Sequence, residues 1–533
     1  MSVTLSLIIG GVILLVFAIR KYVKRNDDYW KNKGVPKITY EHSFMASMIN
    51  IFTKKKNLIE YDVDSYNHLK NNERFGGTVD FGVPSLLLKD LDLIKQILVK
   101  DFDSFVDRRK VQMESEPIFK LMLSMQEGQD WKNLRSLMSP TFTTGKIRRM
   151  FENFNNCGVD LVNFIKSKPV GSPGSRDVVV KEAISRYLVD VIGATAFGME
   201  TNSLKDPNSV FYKMSKRSSD FSTLKMLKII LMMILPFLSK LGLRFTDSES
   251  SDFFESILRT ALKNRVESKE KREDFLQMMI EARKGELKTD ESELDAFEKD
   301  AQLNKPGDGT GKPKINLTDD IILAQSLLFF LAGLETTGSV LCFAVYLLAL
   351  HPDIQEKLYQ EVKGVIKEEN GKVDYDGIAR MDYMEKFVAE VLRMYPPGTR
   401  LERRAAKEYQ IPGTNVTLEK DTIVFVSVLA MHRNPEFYPE PEKFDPERFS
   451  PEAKAARNPY TYLPFGQGPR NCIGMRFALM EAKVAIAYLV YNFIIEKCES
   501  TPVPIKLDET IGSRPITSLE LRFKERVMSK REE

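Results

Sequence analysis

Cysteine, histidine and tryptophan are scarce in this 533-residue sequence, which carries four, four and two of them. The cysteines, Cys157, Cys342, Cys472 and Cys498, are scattered without CxxC spacing. That excludes a disulfide framework and a structural zinc site and points to a reducing compartment. His42, His68, His351 and His432 do not cluster either, so any bound metal would fall to a lone thiolate, best supplied by Cys472. Neither sign of charge dominates: 78 Lys and Arg against 74 Asp and Glu leave a net +4, too little on so long a chain to mark a nucleic-acid binder. Flavin and nicotinamide fingerprints are missing, and past Arg25 no apolar run is long enough to cross a bilayer.

What is present begins with Val3 to Ile19, an almost unbroken apolar run followed at once by Arg20, Lys21, Lys24 and Arg25. A cleaved signal peptide carries its charge before the apolar run, the reverse of this order. By the positive-inside rule the basic residues stay cytosolic, so residues 1–25 read as a single-pass signal anchor, with a peripheral amphipathic anchor as the alternative. Residues 26–40, basic and containing Gly34-Val35-Pro36, read as a linker into one catalytic domain over residues 41–533. A second apolar stretch, Ile229 to Leu238, is too short to span and contains Pro236. It reads equally as a buried core helix or as an interfacial dip, with Lys225, Lys228, Lys240 and Arg244 near lipid headgroups.

Strand and helix signals alternate through the body. Gly77 to Leu88 reads as a hairpin turning near Gly82 to Pro84, and Asp90 to Lys100 as a short helix. Arg283 to Lys314, rich in charge, Gly and Pro, reads as a solvated loop. Asn316 to Asp320 then offers a helix start, and Ile321 to Leu350 a helix apolar all round, hence buried. One polar island interrupts it, Ala332-Gly333-Leu334-Glu335-Thr336-Thr337. Buried acids and hydroxyls need partners, so the island is either a local kink with hydroxyl back-bonding or a widened turn beside a reaction centre. Asp382 to Tyr395 forms a helix stopped by Pro396-Pro397. The tail from Thr501 to Phe523 alternates and reads as a closing hairpin.

Pro464-Phe465-Gly466-Gln467-Gly468-Pro469-Arg470-Asn471-Cys472-Ile473-Gly474 cannot be a regular element, and Met475 to Ile495, with Phe477, Met480, Val484, Ala487 and Val490 at helical spacing, reads as a helix just after it. Cys472 thus sits at a helix N-terminus, which favours the thiolate, although a lone cysteine is most often a small buried hydrophobe. Gly468 and Gly474 let a flat ligand approach, and Arg470 offers it a cation.

Phe-Gly-x-Gly-x-Arg-x-Cys-x-Gly, from Phe465 to Gly474, resembles the haem-binding loop of the cytochromes P450. Three further motifs stand in that family's order: Trp131 and Arg135, Ala332 to Thr336, and Glu390 and Arg393 followed by Arg448. Gly398 to Arg403 and Tyr462 to Phe465 are similar to the branch holding the vertebrate family 3 and the arthropod detoxification enzymes. The resemblance implies a mainly α fold with small β-sheets (α+β) and a long central helix over haem b (iron protoporphyrin IX). It implies Cys472 as axial iron ligand, with Phe465, Gly466, Gly474 and Ala332 against the cofactor. Trp131, Arg135, Arg470 and Arg403, or Arg404 beside it, would hold the propionates. Thr336 and Glu335 would deliver protons to oxygen, and Glu390, Arg393 and Arg448 would form a structural charge network. The partners implied are NADPH–cytochrome P450 reductase, cytochrome b5, O2, a lipophilic substrate and membrane lipid, at the endoplasmic reticulum. A peroxide-rearranging P450 and a non-catalytic haem carrier are the rival readings; Glu335-Thr336 favours the monooxygenase.

Overall fold

A computed structural model describes residues 10, 20–21, 24–38, 50–51, 53, 55–171, 174–220, 222–235, 237–268, 271–287, 316–366, 371–508 and 513–526. The expected anchor over 1–25 and the solvated loop over 283–314 lie largely outside them. The chain divides into two compact units. One takes in the chain up to Pro117, Phe221–Phe245 and Arg400–Ala430; the other takes in Ile118–Asp220, Thr246–Thr399 and Met431–Glu533.

The first unit is built on a four-stranded sheet of β1 (Phe75–Asp80), β2 (Val83–Leu88), β3 (Arg400–Arg404) and β4 (Ile423–Ser427), in the order β1-β2-β4-β3. The expected hairpin forms, but its turn falls at Phe81 and Gly82, both at positive φ (53° and 79°), as a tight two-residue connection demands. Pro84 lies inside β2 opposite Val79 rather than in the turn. Strand β4 is buried along its whole length, as an Ile-Val-Phe-Val run in the middle of a sheet requires. The stretch expected as a linker docks on this sheet over its described residues. Trp30 is buried and its indole N–H donates to the Thr78 carbonyl at 2.6 Å. Gly77 makes room for it, since a Cβ there would meet the indole ring at 2.2 Å.

A helix at Thr223–Ile234 takes in the first part of the second apolar stretch. Ile230, Met232 and Ile234 are buried, whereas Leu224, Phe237 and Leu241 are 61%, 52% and 76% exposed. Arg244, expected near headgroups, pairs with the buried Glu116 at 3.5 Å.

The second unit is mainly helical. Its principal helices are α1 (Gly128–Met138), α2 (Val180–Phe197), α3 (Asp319–Leu350), α4 (Asp382–Met394) and α5 (Met475–Asn492). The Thr318 side chain caps α3 by accepting the Ile321 N–H, Asp319 and Asp320 complement the dipole, and Pro352 opens the next helix. Against the expectation that no run past Arg25 could cross a bilayer, α3 is long and apolar enough to do so, yet most of it is buried within this unit. Helix α2 lies along it, and Gly333 permits the approach: a Cβ there would meet Ile192 Cδ1 at 3.0 Å. Phe329 of α3 meets Phe477 of α5 edge-on at 5.0 Å.

Helix α5 stops at Asn492, earlier than its apolar spacing suggests. Phe493–Glu496 turns into a strand, with Phe493 and Ile495 buried and Ile494 exposed, a period of two. That strand pairs with Glu520–Glu525, which pairs in turn with Ser175–Val179. The tail thus completes a sheet with distant partners, and among the described residues its two arms also meet at a Leu507–Pro515 bridge, with the Asp508 and Ile516 N–H groups donating to the Arg514 and Lys506 carbonyls.

Candidate active site

The cysteine loop is shaped by Gly466 and Gly468 at φ 74° and 78°, a region open to glycine at little cost. The Gly466 N–H donates to the Leu463 carbonyl at 3.1 Å, and the Cys472 N–H closes the loop onto the Phe465 carbonyl at 2.9 Å. Gly468, Pro469 and Arg470 are buried, while among the described residues from Tyr460 to Phe493 Cys472 alone is exposed. A turn that buries Gly468, Pro469 and Arg470 and exposes one cysteine, three residues before α5, can offer its sulfur to a ligand. Gly474 adds to the opening, since a Cβ there would meet nothing closer than Phe142 at 3.8 Å.

Helix α1 supplies the expected aromatic and cation, and the structure brings both to this loop. The Arg135 guanidinium donates to the Asn471 carbonyl (2.9 Å) and to Asn471 Oδ1 (2.8 Å). Arg470 lies over the Trp131 ring at 4.7 Å and donates to the Gln126 carbonyl at 2.9 Å. Both arginines are buried, at 6% and 4% exposure. The fork of Arg135 therefore fixes the residue before Cys472, a contact the sequence did not suggest because Asn471 is the variable x of the motif.

On α3, beyond the first turn, Ala332 and Thr336 are the only exposed positions among the described residues, and their spacing of four sets them on one face. The helix is α throughout, so the expected widened turn is absent; Gly333 answers the packing of Ile192 instead. The Thr336 hydroxyl donates to the Ala332 carbonyl at 2.6 Å, and Ser339 back-bonds to Glu335 at 2.9 Å. The Glu335 carboxylate is ion-paired to Arg514 at 2.8 Å, each side chain 16% exposed. Arg514 escaped the sequence reading because it comes from the far end of the chain, where no local pattern marks it.

Glu390, Arg393 and Arg448 do converge. Arg393 grips both oxygens of Glu390 at 2.7 and 2.8 Å, and both side chains are fully buried. Glu390 also accepts the Asp445 N–H at 3.0 Å and lies 3.5 Å from Arg448. Burial pushes the Glu390 carboxyl above its usual range, with Arg393 pulling it back. In the first unit Arg404 is engaged by Asp107 and Asp421, at 3.3 and 2.6 Å. Arg403, its neighbour on β3, is 2% exposed and donates to the Glu402 carbonyl at 2.9 Å.

A loop exposing one cysteine, a grip on that loop from an arginine–tryptophan pair, an open alanine–threonine face on a buried helix and a buried Glu–Arg clamp are thus all present in one chain. The model of the cytochrome P450 family matches residues 66–523. The chain is 36% identical to cytochrome P450 6k1 of Blattella germanica over 502 residues, covering 92% of each. It is 36% identical to cytochrome P450 9e2 of the same insect over 514 residues, 94% of this chain and 93% of the relative. Its likeness to cytochrome P450 3A31 of Mesocricetus auratus is 34% over 514 residues, 96% and 94% of the two chains. These likenesses span the body that carries the site, and the chain belongs to the cytochrome P450 family of haem-dependent monooxygenases.

Proposed function

We propose that this chain is a microsomal monooxygenase of lipophilic small molecules, held at the endoplasmic reticulum membrane by a single-pass anchor within residues 1–25. Its electrons come from NADPH–cytochrome P450 reductase, with cytochrome b5 as a second donor, and its cofactor is haem b bound through Cys472. The observation that carries this reading is the lone exposed thiol of the Phe465–Gly474 loop. Haem suits the residues present. The sulfur is presented on a rigid turn, the Gly474 side is open to a flat ring, and Arg135 and Arg470 put two guanidinium groups beside the cysteine.

Bound there, haem supplies the oxygen-activating chemistry. The chain supplies the rest. Cys472 binds through sulfur at the helix N-terminus, where backbone N–H groups moderate its charge. The Arg135–Asn471 contact holds that sulfur in register, and the Ala332–Thr336 face leaves space on the central helix. Thr336 holds a transferable proton, and Glu335 replaces it once its carboxylate has left Arg514 and taken up a proton from solvent water.

Thr336→Ala is expected to keep haem and to divert NADPH into peroxide, lowering product per NADPH by up to roughly a hundredfold, the low end of what a positioned proton donor contributes. Titrating peroxide and product against NADPH across several substrates checks this; unchanged coupling removes the role from Thr336. The membrane assignment is checked by fractionation. Deleting residues 1–25 should release part of the protein, and changing Leu224, Phe237 and Leu241 to serine as well should release most of the remainder. Complete retention after both changes contradicts it. Binding spectra against a panel of lipophilic compounds, followed by reductase-dependent turnover, test the function itself; product formed from peroxides without reductase would favour the rearranging reading.

A further inference from the structure

His432 is fully buried and lies outside every motif that led to the site. Its ring nitrogens face two backbone groups whose chemistry leaves no choice of tautomer. The Leu463 N–H can only donate, so Nε2, 2.9 Å away, carries no proton. The Arg393 carbonyl can only accept, so Nδ1, at 3.2 Å, carries one. Burial keeps the ring neutral, its pKa pushed down to about 3 with the Arg393 charge acting in the same direction.

Arg393 returns the contact, its Nη1 donating to the His432 carbonyl at 3.0 Å. The imidazole also stacks on Tyr462, with centroids 5.3 Å apart and planes 22° from parallel, and the Tyr462 hydroxyl donates to the Ala389 carbonyl of α4. Beyond Leu463, its own carbonyl accepts the Gly466 N–H, and the Phe465 carbonyl accepts that of Cys472. A continuous line of hydrogen-bonded backbone thus runs from the Glu390–Arg393 pair through one neutral imidazole to the sulfur-bearing residue.

We propose that His432, as its Nδ1–H tautomer, is the positioning residue that couples the buried Glu390–Arg393 pair to the cysteine loop and keeps Cys472 ligating as a thiolate. The proposal rests on Cys472 being the haem ligand. His432 acts through Leu463 and touches no reacting atom.

The test uses the haem-loaded full chain at matched haem content and reads the ratio of thiolate-type to thiol-type carbon monoxide complex. His432→Phe keeps the ring and its stacking but offers no acceptor, and should lower that ratio by about tenfold, the size expected when a buried N–H loses its partner. His432→Gln, whose Oε1 reaches to where Nε2 lies, should restore most of it. If His432→Phe does not accumulate with haem, His432→Asn takes its place. It keeps a donor for the Arg393 carbonyl, falls short of Leu463 and should show the same loss. A parental ratio in His432→Phe or His432→Asn, or a ratio in His432→Gln as low as theirs, overturns the proposal and leaves the loop to packing alone. Absence of a thiolate-type complex in the parent overturns the haem reading instead, so the two failures are distinct.

Discussion

Replacing Cys472 by alanine or histidine is expected to abolish monooxygenation, a loss of roughly a thousandfold or more, together with the thiolate-type carbon monoxide spectrum. The size follows from there being no understudy for the sulfur. Cys342 is buried in α3, its thiol pushed up to about 12 by desolvation, and Cys157 is likewise held well above its usual range. Cys498 is largely buried, near Ser500 and Thr501 at the sheet of the C-terminal strand. Histidine would supply a neutral ligand in place of an anion, which removes the electron push that thiolate ligation gives. The difference spectrum of reduced protein under carbon monoxide decides the point: a thiolate-type band in either variant rules out Cys472 as the ligand.

Removal of Arg393 carries the second large effect, here on stability. Its guanidinium makes two bonds to Glu390 and reaches the His432 and Lys443 carbonyls at 3.0 and 3.4 Å, all without exposure to water. Arg393→Leu strands a buried carboxylate, which costs about 3–5 kcal/mol, a large part of the roughly 5–15 kcal/mol that holds a typical protein folded. Arg393→Lys keeps the charge without the planar fork, so it should recover only part of the loss. The pH dependence has a definite sign. Burial already raises the Glu390 carboxyl above its unfolded value, and losing Arg393 raises it further. A group raised on folding favours the fold most below its unfolded pKa and loses that advantage as pH rises through the folded one. Arg393→Leu should therefore be least unstable in acid and worsen toward neutral pH. Thermal unfolding and haem content across that range measure it. A midpoint within a few degrees of the parent at neutral pH would mean the pair contributes little.

The family was legible because its chemistry is carried by short, local patterns. A turn rich in glycine before a helix, an acid and two hydroxyls inside an apolar run, and a Glu–x–x–Arg step each announce themselves within a dozen residues. The central helix was equally plain, since a long and mainly apolar stretch with a helix start at Asn316 to Asp320 and Pro352 after it reads as a buried helix. Spacing also set Ala332 and Thr336 on one face, because the helical period fixes it.

Other features escaped because they depend on partners far along the chain. Periodicity carried α5 on to Ile495, but hydrogen bonding to Glu520–Glu525 turned Phe493 onward into a strand. The described part of the expected linker, up to Ile38, docks on the first sheet because Gly77, far along the chain, leaves room for Trp30. A widened turn was expected at Gly333, where the close approach of Ile192 explains the glycine instead.

By itself, then, the sequence marked the tight glycine turn that carries Cys472, the central helix with its threonine face, the Glu390–Arg393 pair and the mainly helical class, all consequences of short-range geometry and local chemistry. Only the tertiary structure decided that Arg135 grips Asn471, that Arg514 restrains Glu335 and that His432 joins the buried ion pair to the cysteine loop. Each of those contacts joins residues far apart in the chain, and a side chain's partner across such a distance is chosen by packing, which no local pattern records.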